Sequence, residues 1–586
     1  MSLVGKTVNQ QQDSTFRNLV SAVCLSLLVT IPLLQAFRGL DMTDMGFLLT
    51  NQRLIFSHPE SVSYWFHLWL TNITGGLVDL LFGGFGVLPH KFTAAVIFWG
   101  TAAGIFLLYR HSIGREIILL AVAASMAFVF MYKINIVHYN NLSALCYVFG
   151  GVLLSEAVVR RQVWLFTFSG FLLGLNAFVR MPNIVGLGLI FVPILLDLLT
   201  NDPSRKSRIG FKAVVFFFLG AFFAAAAAFL ALAVLGHLRI YLASLWDLSE
   251  SSERDVGNYS LIKLILIPMR DIVYSLVYGL PVAVSFAVAS ALVSLLKKRW
   301  LRIAAGFLIA GIVYGLVVGP IWKATGLATS LRLIYRATAG VCYWAILVIL
   351  FDRHADSRLR FTAVLTACIS LALNVGSDTG INVSTYVFPA MFPALLAAGE
   401  SFARTSGRFL KTTWLRSFVS LPLVVAAFFM GVSGYVIKNI VYRDMPQMHR
   451  MVDYPQLRGV FTSEARAQIL EESIPVISAY VPPGSILFAF DSLPLLHFAL
   501  RTRPYLGNAW PAQYDPRYLD TLLKREERQA PLPVVVLAKS NPRWSTWPAN
   551  SAPPVHTEPV EAFLVRNQYG MAWENSAFEL YLPPSR

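Results

Sequence analysis

The sequence predicts a polytopic α-helical membrane protein of about 13 transmembrane helices, followed by a small α/β domain outside the hydrocarbon. Three observations predict it. Hydrophobic residues fill 56% of the 586 positions and charged residues only 14%, with a mean hydropathy of +0.60, a balance that makes the bilayer the solvent. Apolar runs of roughly 17 to 25 residues, the length that crosses about 30 Å of hydrocarbon as a helix, recur from Phe16 to Tyr442 and then stop. From residue 444 the texture becomes mixed in polarity and punctuated by proline.

The expected spans are 17–37, 91–109, 116–132, 141–158, 163–179, 183–200, 213–235, 271–296, 303–322, 333–351, 361–376, 384–400 and 417–440. The first follows Arg17 and lacks a small-residue cleavage site, so it reads as a retained helix. With the N-terminus cytoplasmic, the inner loops collect 21 basic residues against 8 acidic ones, while the outer loops and the tail are nearly balanced. Almost all of the net charge of +16 is therefore inner-loop charge. The positive-inside rule then places the N-terminus in the cytoplasm and the C-terminal domain outside it, as in a multi-pass protein of the cytoplasmic (inner) membrane. The same distribution removes nucleic acid as a partner. Cys24, Cys146, Cys342 and Cys368 all sit in or at the end of apolar runs, which implies no disulfide framework and no thiolate metal site.

Two domains follow: residues 1–443 in the membrane, with a long first outer loop at 38–90, and residues 444–586 as the extracytoplasmic α/β domain. A second long outer loop is expected at 236–270. In the first loop, Trp65, Phe66, Trp69, Leu70 and Leu77 at helical spacing predict helices lying along the interface, with Tyr64, Trp65 and Trp69 as interfacial anchors. In the tail, 463–480 reads as a helix, Pro482-Pro483-Gly484 as a turn, and 486–490 and 534–537 as buried strands. The tail carries no phosphate loop, HExxH, CxxC or serine-elbow motif, so it reads as a lid or docking module.

The most informative stretch is Gly39-Leu40-Asp41-Met42-Thr43-Asp44-Met45, two carboxylates directly after the first span. A carboxylate at the hydrocarbon boundary is costly unless it is paired or used. The plainer alternative is a solvated loop start, or a cap on the next helix.

On this acidic motif, the long first outer loop, its interfacial helices and the extracytoplasmic tail, the chain resembles the GT-C superfamily of membrane glycosyltransferases. The resemblance covers the topology of the whole chain. It implies a GT-C-like fold and an inverting transfer of a sugar from a polyprenyl-phosphate carrier to a glycan, lipid or protein acceptor of the cell envelope. Asp44 would then be the base or a metal-binding carboxylate, with Asp41 as its partner and Mg or Mn as the metal if one is used. The departing phosphate needs cations. Arg332 and Arg336 share a helical face at the outer start of a span, and Lys133, Arg180 and Lys323 are further candidates. Each could equally snorkel to lipid headgroups.

His138 lies at the same surface and could bind sugar hydroxyls, assist a metal, or simply be a hydrogen-bonded interfacial residue. Asp378, in Gly376-Ser377-Asp378-Thr379-Gly380, reads either as a sugar contact or as part of a tight turn. In the tail, Asp491 and Ser492 follow a strand, with Arg501, Arg503, Asn508, Trp510 and Tyr514 close behind, a ligand loop or a packing surface. Two other functions remain open at this level: a transporter or flippase, and a noncatalytic assembly factor for lipid-linked envelope glycans. The enzymatic reading requires Asp41, Asp44, Arg332 and Arg336 to converge on one cavity.

Overall fold

The computed structural model describes residues 3–129, 135–200, 210–249, 261–295, 308, 327–352, 354–377, 379–405, 448–529, 531–542, 547–548, 553–554 and 557–584. The expected span 417–440 lies outside these residues, as does 303–322 apart from residue 308.

The membrane part is a bundle of α1 (Leu3–Ala36), α2 (Asp44–Leu54), α3 (Trp69–Phe82), α4 (Leu88–Tyr109), α5 (Arg115–Val129), α6 (Tyr139–Arg160), α7 (Val163–Val179), α8 (Val192–Thr200), α9 (Phe211–Val234), α10 (Leu238–Ser249), α11 (Leu261–Leu295), α12 (Leu327–Phe351), α13 (Ser357–Asn374), the short α14 (Ile381–Ser384) and α15 (Phe388–Thr405). By length and composition, seven helices among the described residues can cross a membrane. Six overlap expected spans; the seventh, Phe66–Phe85, falls inside the first outer loop.

Hydrogen bonds decide what that seventh segment does. Gly39 N–H donates to Phe461 O at 3.0 Å, Tyr64 N–H to Gly507 O at 3.1 Å and Val87 N–H to Gln456 O at 3.0 Å. Residues before and after the segment thus contact the same C-terminal domain, so its two ends lie on one side of the bilayer. Residues 181–191, expected as the start of a transmembrane α-helix, form a 3₁₀ stretch instead. Pro182 removes an amide donor there, and Gly186 lies so close to the Tyr147 ring that a Cβ would approach it to 2.4 Å.

The C-terminal domain holds β1 (Arg450–Met451), β2 (Phe461–Thr462), α16 (Glu464–Tyr480), β3 (Ile486–Phe490), α17 (Pro494–Leu500), β4 (Arg503–Pro504), α18 (Pro516–Gln529), β5 (Val534–Ala538), α19 (Glu558–Arg566), β6 (Gly570–Glu574) and β7 (Phe578–Leu582). Its mixed five-stranded sheet runs β4-β3-β5-β7-β6. β3 is parallel to β4 and β5, and β7 is antiparallel to β5 and β6. The expected helix and both expected strands are present. The closing hairpin β6–β7 was not foreseen, because Gly570–Glu574 is largely exposed and lacks an apolar alternation.

The first loop and this domain share one hydrophobic core. Leu40, Met42, Met45, Phe47, Leu48 and Leu49 pack with Leu470, Ile474, Leu495, Leu496 and Trp547. Leu495 N–H donates to Met42 O at 3.0 Å, the Thr50 hydroxyl to Pro494 O at 3.0 Å and Arg466 Nη1 to Leu40 O at 2.7 Å. At the crossing of α2 and α17 a Cβ on Gly46 would lie 2.2 Å from Leu495 N. Gly46→Ala is therefore expected to cost at least the 1–3 kcal/mol or so typical of overpacking. The readout is earlier thermal loss of the monodisperse protein and faster proteolysis of the C-terminal domain.

His497, on α17, is buried with Nδ1 3.1 Å from Thr502 Oγ1. Burial pushes its pKa down to about 3. A histidine lowered from 6.5 contributes stability that is complete above pH 6.5 and is lost as pH falls through the folded value. The domain should thus melt earlier between pH 6.5 and 3, and His497→Asn should flatten that slope in thermal melts.

Candidate active site

The two acidic residues separate once their surroundings are known. Asp41 is a structural cap: its Oδ2 accepts Met45 N–H at 2.9 Å and its Oδ1 accepts the Thr43 hydroxyl at 3.1 Å. One oxygen takes an orphan amide at the positive end of the α2 dipole and the other takes a hydroxyl at the same turn. These bonds give Asp41 a structural task at the start of α2 beside the partnership with Asp44 expected of it. Asp44, the first residue of α2, is exposed. Its carboxylate lies within long-range electrostatic reach of Tyr386, which sits between α14 and α15.

From Asp44 the contacts close a circuit. One helical turn along α2, the Phe47 ring meets Trp65 edge-on at 5.9 Å, and Trp65 lies 6.3 Å from His67. The Arg180 charge acts on both His67 and His138. The Arg180 guanidinium also lies 5.8 Å from the centre of the Tyr139 ring. Tyr139 is 4.0 Å from His138, and His138 stacks parallel to Tyr386 at 6.2 Å. Tyr386 returns the circuit to Asp44.

Each member is fixed locally. Arg180, 6% exposed, donates to Leu373 O at 3.1 Å and Val375 O at 3.0 Å, bonds that hold a guanidinium against the loop rather than in the headgroups. His138 caps α6, its Nδ1 accepting Asn140 N–H at 3.0 Å. Burial, reinforced by Arg180, pushes the His138 pKa down to about 3.

Next to the circuit a small, partly open cleft of about 30 Å³ lies between α4, α5 and α6. Ala94, Ile97, Phe98 and Ala144 form apolar walls, and Asn135, Asn141 and Tyr386 form a polar end. Tyr386 therefore belongs to both the cleft and the circuit.

The other expected cations are placed differently. Arg336 is already paired: its Nε donates to Asp271 Oδ1 at 3.0 Å and its Nη2 bonds the same oxygen. Asp271 is 2% exposed and its Oδ2 accepts Ile381 N–H at 2.9 Å. A guanidinium held by a buried carboxylate is a poor half of a phosphate clamp, and none of Asp41, Asp44, Arg332 and Arg336 lines the cleft, so the expected convergence of the four on one cavity is not found among the described residues. Arg332 is half-buried and makes no ion pair among the described residues. Lys133, Lys323 and Asp378 lie outside the described residues.

The interfacial anchors are likewise protein-packed. Trp69 is buried and donates its indole N–H to His237 at 3.1 Å, while Tyr64 meets Tyr514 of the C-terminal domain edge-on at 5.1 Å. In that domain, Asp491 and Ser492 are buried, Ser492 donating to Asp491 at 2.9 Å and receiving the Trp510 indole N–H at 3.1 Å. These residues pack the domain onto the first loop.

Lys91 is a cation that the sequence reading passed over. It is 1% exposed, donates to Arg38 O at 2.7 Å and is within electrostatic range of Asp41. Its signal was available: a lysine just inside an apolar run needs a partner.

Among the described residues no three His, Cys, Asp or Glu side chains come together as a metal site.

The fold is that of a helical membrane protein with a C-terminal mixed-sheet domain, and the comparisons with known proteins bear on its likeness. No family model and no curated protein sequence matches the chain. Among solved structures it is similar to ArnT from Cupriavidus metallidurans bound to undecaprenyl phosphate, with 12% identity and a TM-score of 0.48, over 95% of this chain and 97% of that one. It is also similar to the oligosaccharyltransferase of Archaeoglobus fulgidus in the apo form, with 11% identity and a TM-score of 0.45, over 89% of this chain and 69% of that one. The same archaeal enzyme in complex with zinc and sulfate gives 12% identity, a TM-score of 0.45 and coverage of 89% and 67%.

Proposed function

We propose that this chain is a membrane glycosyltransferase that moves a sugar from a polyprenyl-phosphate carrier to an acceptor hydroxyl on the side of the bilayer where the C-terminal domain sits. That side is the outer face of the cytoplasmic membrane if the positive inner loops are cytoplasmic. The observation that carries the reading is the grouping of Tyr386, which lines the cleft and stacks on His138, with Arg180 over the neighbouring Tyr139 ring and the exposed Asp44 at the start of α2. A greasy carrier and an aqueous acceptor need such a junction.

In this reading Asp44 takes the proton of the acceptor hydroxyl as its oxygen bonds to the anomeric carbon from the face opposite the phosphate. The bond from that carbon to the phosphate oxygen breaks, and polyprenyl phosphate leaves with the electron pair. A single displacement of this kind inverts the anomeric centre. Arg180, held at the circuit by two carbonyls, is the cation that meets the charge growing on the phosphate.

Vesicles containing the chain are supplied with labelled polyprenyl-phosphate sugar and an envelope-glycan extract. Label should leave the lipid phase in a covalent product for the natural chain. Label that crosses the vesicle wall unchanged would instead identify a transporter. Arg180→Gln is expected to weaken binding of a short polyprenyl-phosphate analogue by about tenfold, the 1.4 kcal/mol or so of one charged contact; unchanged binding removes Arg180 from the proposal.

A further inference from the structure

The proposed reaction leaves open what kind of acceptor presents its hydroxyl to Asp44, and the rim of the site carries an unassigned feature. Tyr64 and Trp65 stack on one another, ring centres 5.5 Å apart and planes 16° from parallel. The stack continues on both sides: the Phe47 ring meets Trp65 edge-on from α2, and Tyr514 meets Tyr64 edge-on from the C-terminal domain. Yet Tyr64 and Trp65 are only half-buried, whereas Phe47 and Tyr514 are buried. The two rings keep part of their surface exposed, and Phe47, which meets them, is one helical turn from Asp44.

The backbone is held in an unfavourable form to keep it there. Trp65 has φ 56° and ψ 30°, the left-handed region that a bulky aromatic residue rarely enters. The C-terminal domain clamps this turn. Gly507 accepts Tyr64 N–H at 3.1 Å, and its own φ of +65° and the 2.7 Å that a Cβ would leave to Ser63 Oγ favour glycine. A turn strained in this way and braced by a separate domain points to a use for the ring it displays.

Resting on the reading of Asp44 as the reacting carboxylate, we infer that Trp65 and Tyr64 form a binding platform for a saccharide acceptor, completed by the C-terminal domain. A pyranose offers an apolar face of C–H bonds that packs on a flat ring, with hydroxyls left at its edge. Phe47 and Asp44 are one helical turn apart on α2, so a sugar resting against Trp65 directs an edge hydroxyl toward the carboxylate. A lipid headgroup is the competing occupant of an aromatic pair near a membrane. It fits less well, because Tyr64 is tied to Gly507 and Tyr514 of the domain rather than turned to the bilayer.

The test uses the purified full chain in detergent, without any donor, so that binding is read apart from transfer. Cellotetraose, chitotetraose and tetragalacturonate, one neutral, one N-acetylated and one acidic probe, are titrated by saturation-transfer NMR. At least one should bind the natural chain. Trp65→Ala should weaken that binding by about tenfold or more, Trp65→Phe should restore part of it, and Asp44→Asn should leave it in place. In transfer assays Trp65→Ala should raise the acceptor KM and leave the donor KM alone. No binding of any probe, or equal binding by a folded Trp65→Ala variant, overturns the platform. So does a Trp65→Phe variant that melts like the natural chain but binds no better than Trp65→Ala. Protection of Trp65 fluorescence by phosphatidylglycerol vesicles and not by saccharide assigns the pair to lipid and likewise overturns it. Loss of transfer in Asp44→Asn with saccharide binding intact separates the platform from the proposed chemistry.

Discussion

Asp44→Asn is expected to lower sugar transfer by a factor of about 10² to 10⁴, the range over which a positioned general base acts, while the protein melts at the temperature of the natural chain. The second half follows from exposure: Asp44 is at the surface of the first turn of α2, and the capping of that helix belongs to Asp41. Asparagine keeps the size of the side chain and one acceptor oxygen, and removes the negative charge and with it the ability to take a proton. Asp41→Asn should show the opposite pattern. It weakens a charge-assisted bond to Met45 N–H and the favourable charge at a helix N-terminus, worth about 1 kcal/mol. Stability should then fall modestly, with transfer reduced only through the altered setting of α2. Transfer assays and melts of the two variants side by side check the division. Equal turnover in Asp44→Asn and the natural chain would remove the carboxylate from the mechanism.

This division was not legible in the sequence, which offered two aspartates three positions apart with no means of ranking them. A capping residue is recognised by where the helix starts, and the start at Asp44 rather than at Asp41 or Met45 is settled by the docking of α2 on α17. What could be read was whatever depends on one segment at a time. Apolar runs long enough to cross the bilayer, the strands at 486–490 and 534–538 and the helix at 464–480 all carry their own pattern. Whatever depends on a partner far along the chain could not. Trp65 and Trp69 carry the composition of interfacial anchors, and only the approach of Gly507, Tyr514 and His237 turns them into packed residues. Tyr386 was passed over for the same reason: nothing in an apolar run announces that one tyrosine lines a cleft and stacks on a histidine from another loop.

Removal of either partner of the Asp271–Arg336 pair is expected to destabilise the protein by about 3–5 kcal/mol, as when a buried charge loses its counterion. Arg336 is also stacked at 4.8 Å over Tyr274, and the second oxygen of Asp271 accepts Ile381 N–H. Three pieces of chain meet there: α11, α12 and the loop that leads to Tyr386. The close fit is visible at Gly380, where a Cβ would lie 2.1 Å from Asp271 Oδ2. Asp271→Asn leaves a guanidinium with no counterion in an apolar bundle, and Arg336→Met leaves a carboxylate in the same position. The double variant leaves neither charge behind, so its loss should be smaller than the sum of the two single losses, the difference being the coupling between the residues. Thermal midpoints of the three variants in detergent measure that coupling. Because Ile381 anchors the loop carrying Tyr386, transfer should fall in the double variant even where the melt has largely recovered. If Arg336 instead served the donor phosphate directly, Asp271→Asn would free it and tighten the binding of a polyprenyl-phosphate analogue. A tighter complex together with an unchanged melt would return Arg336 to the list of phosphate ligands and end its structural role.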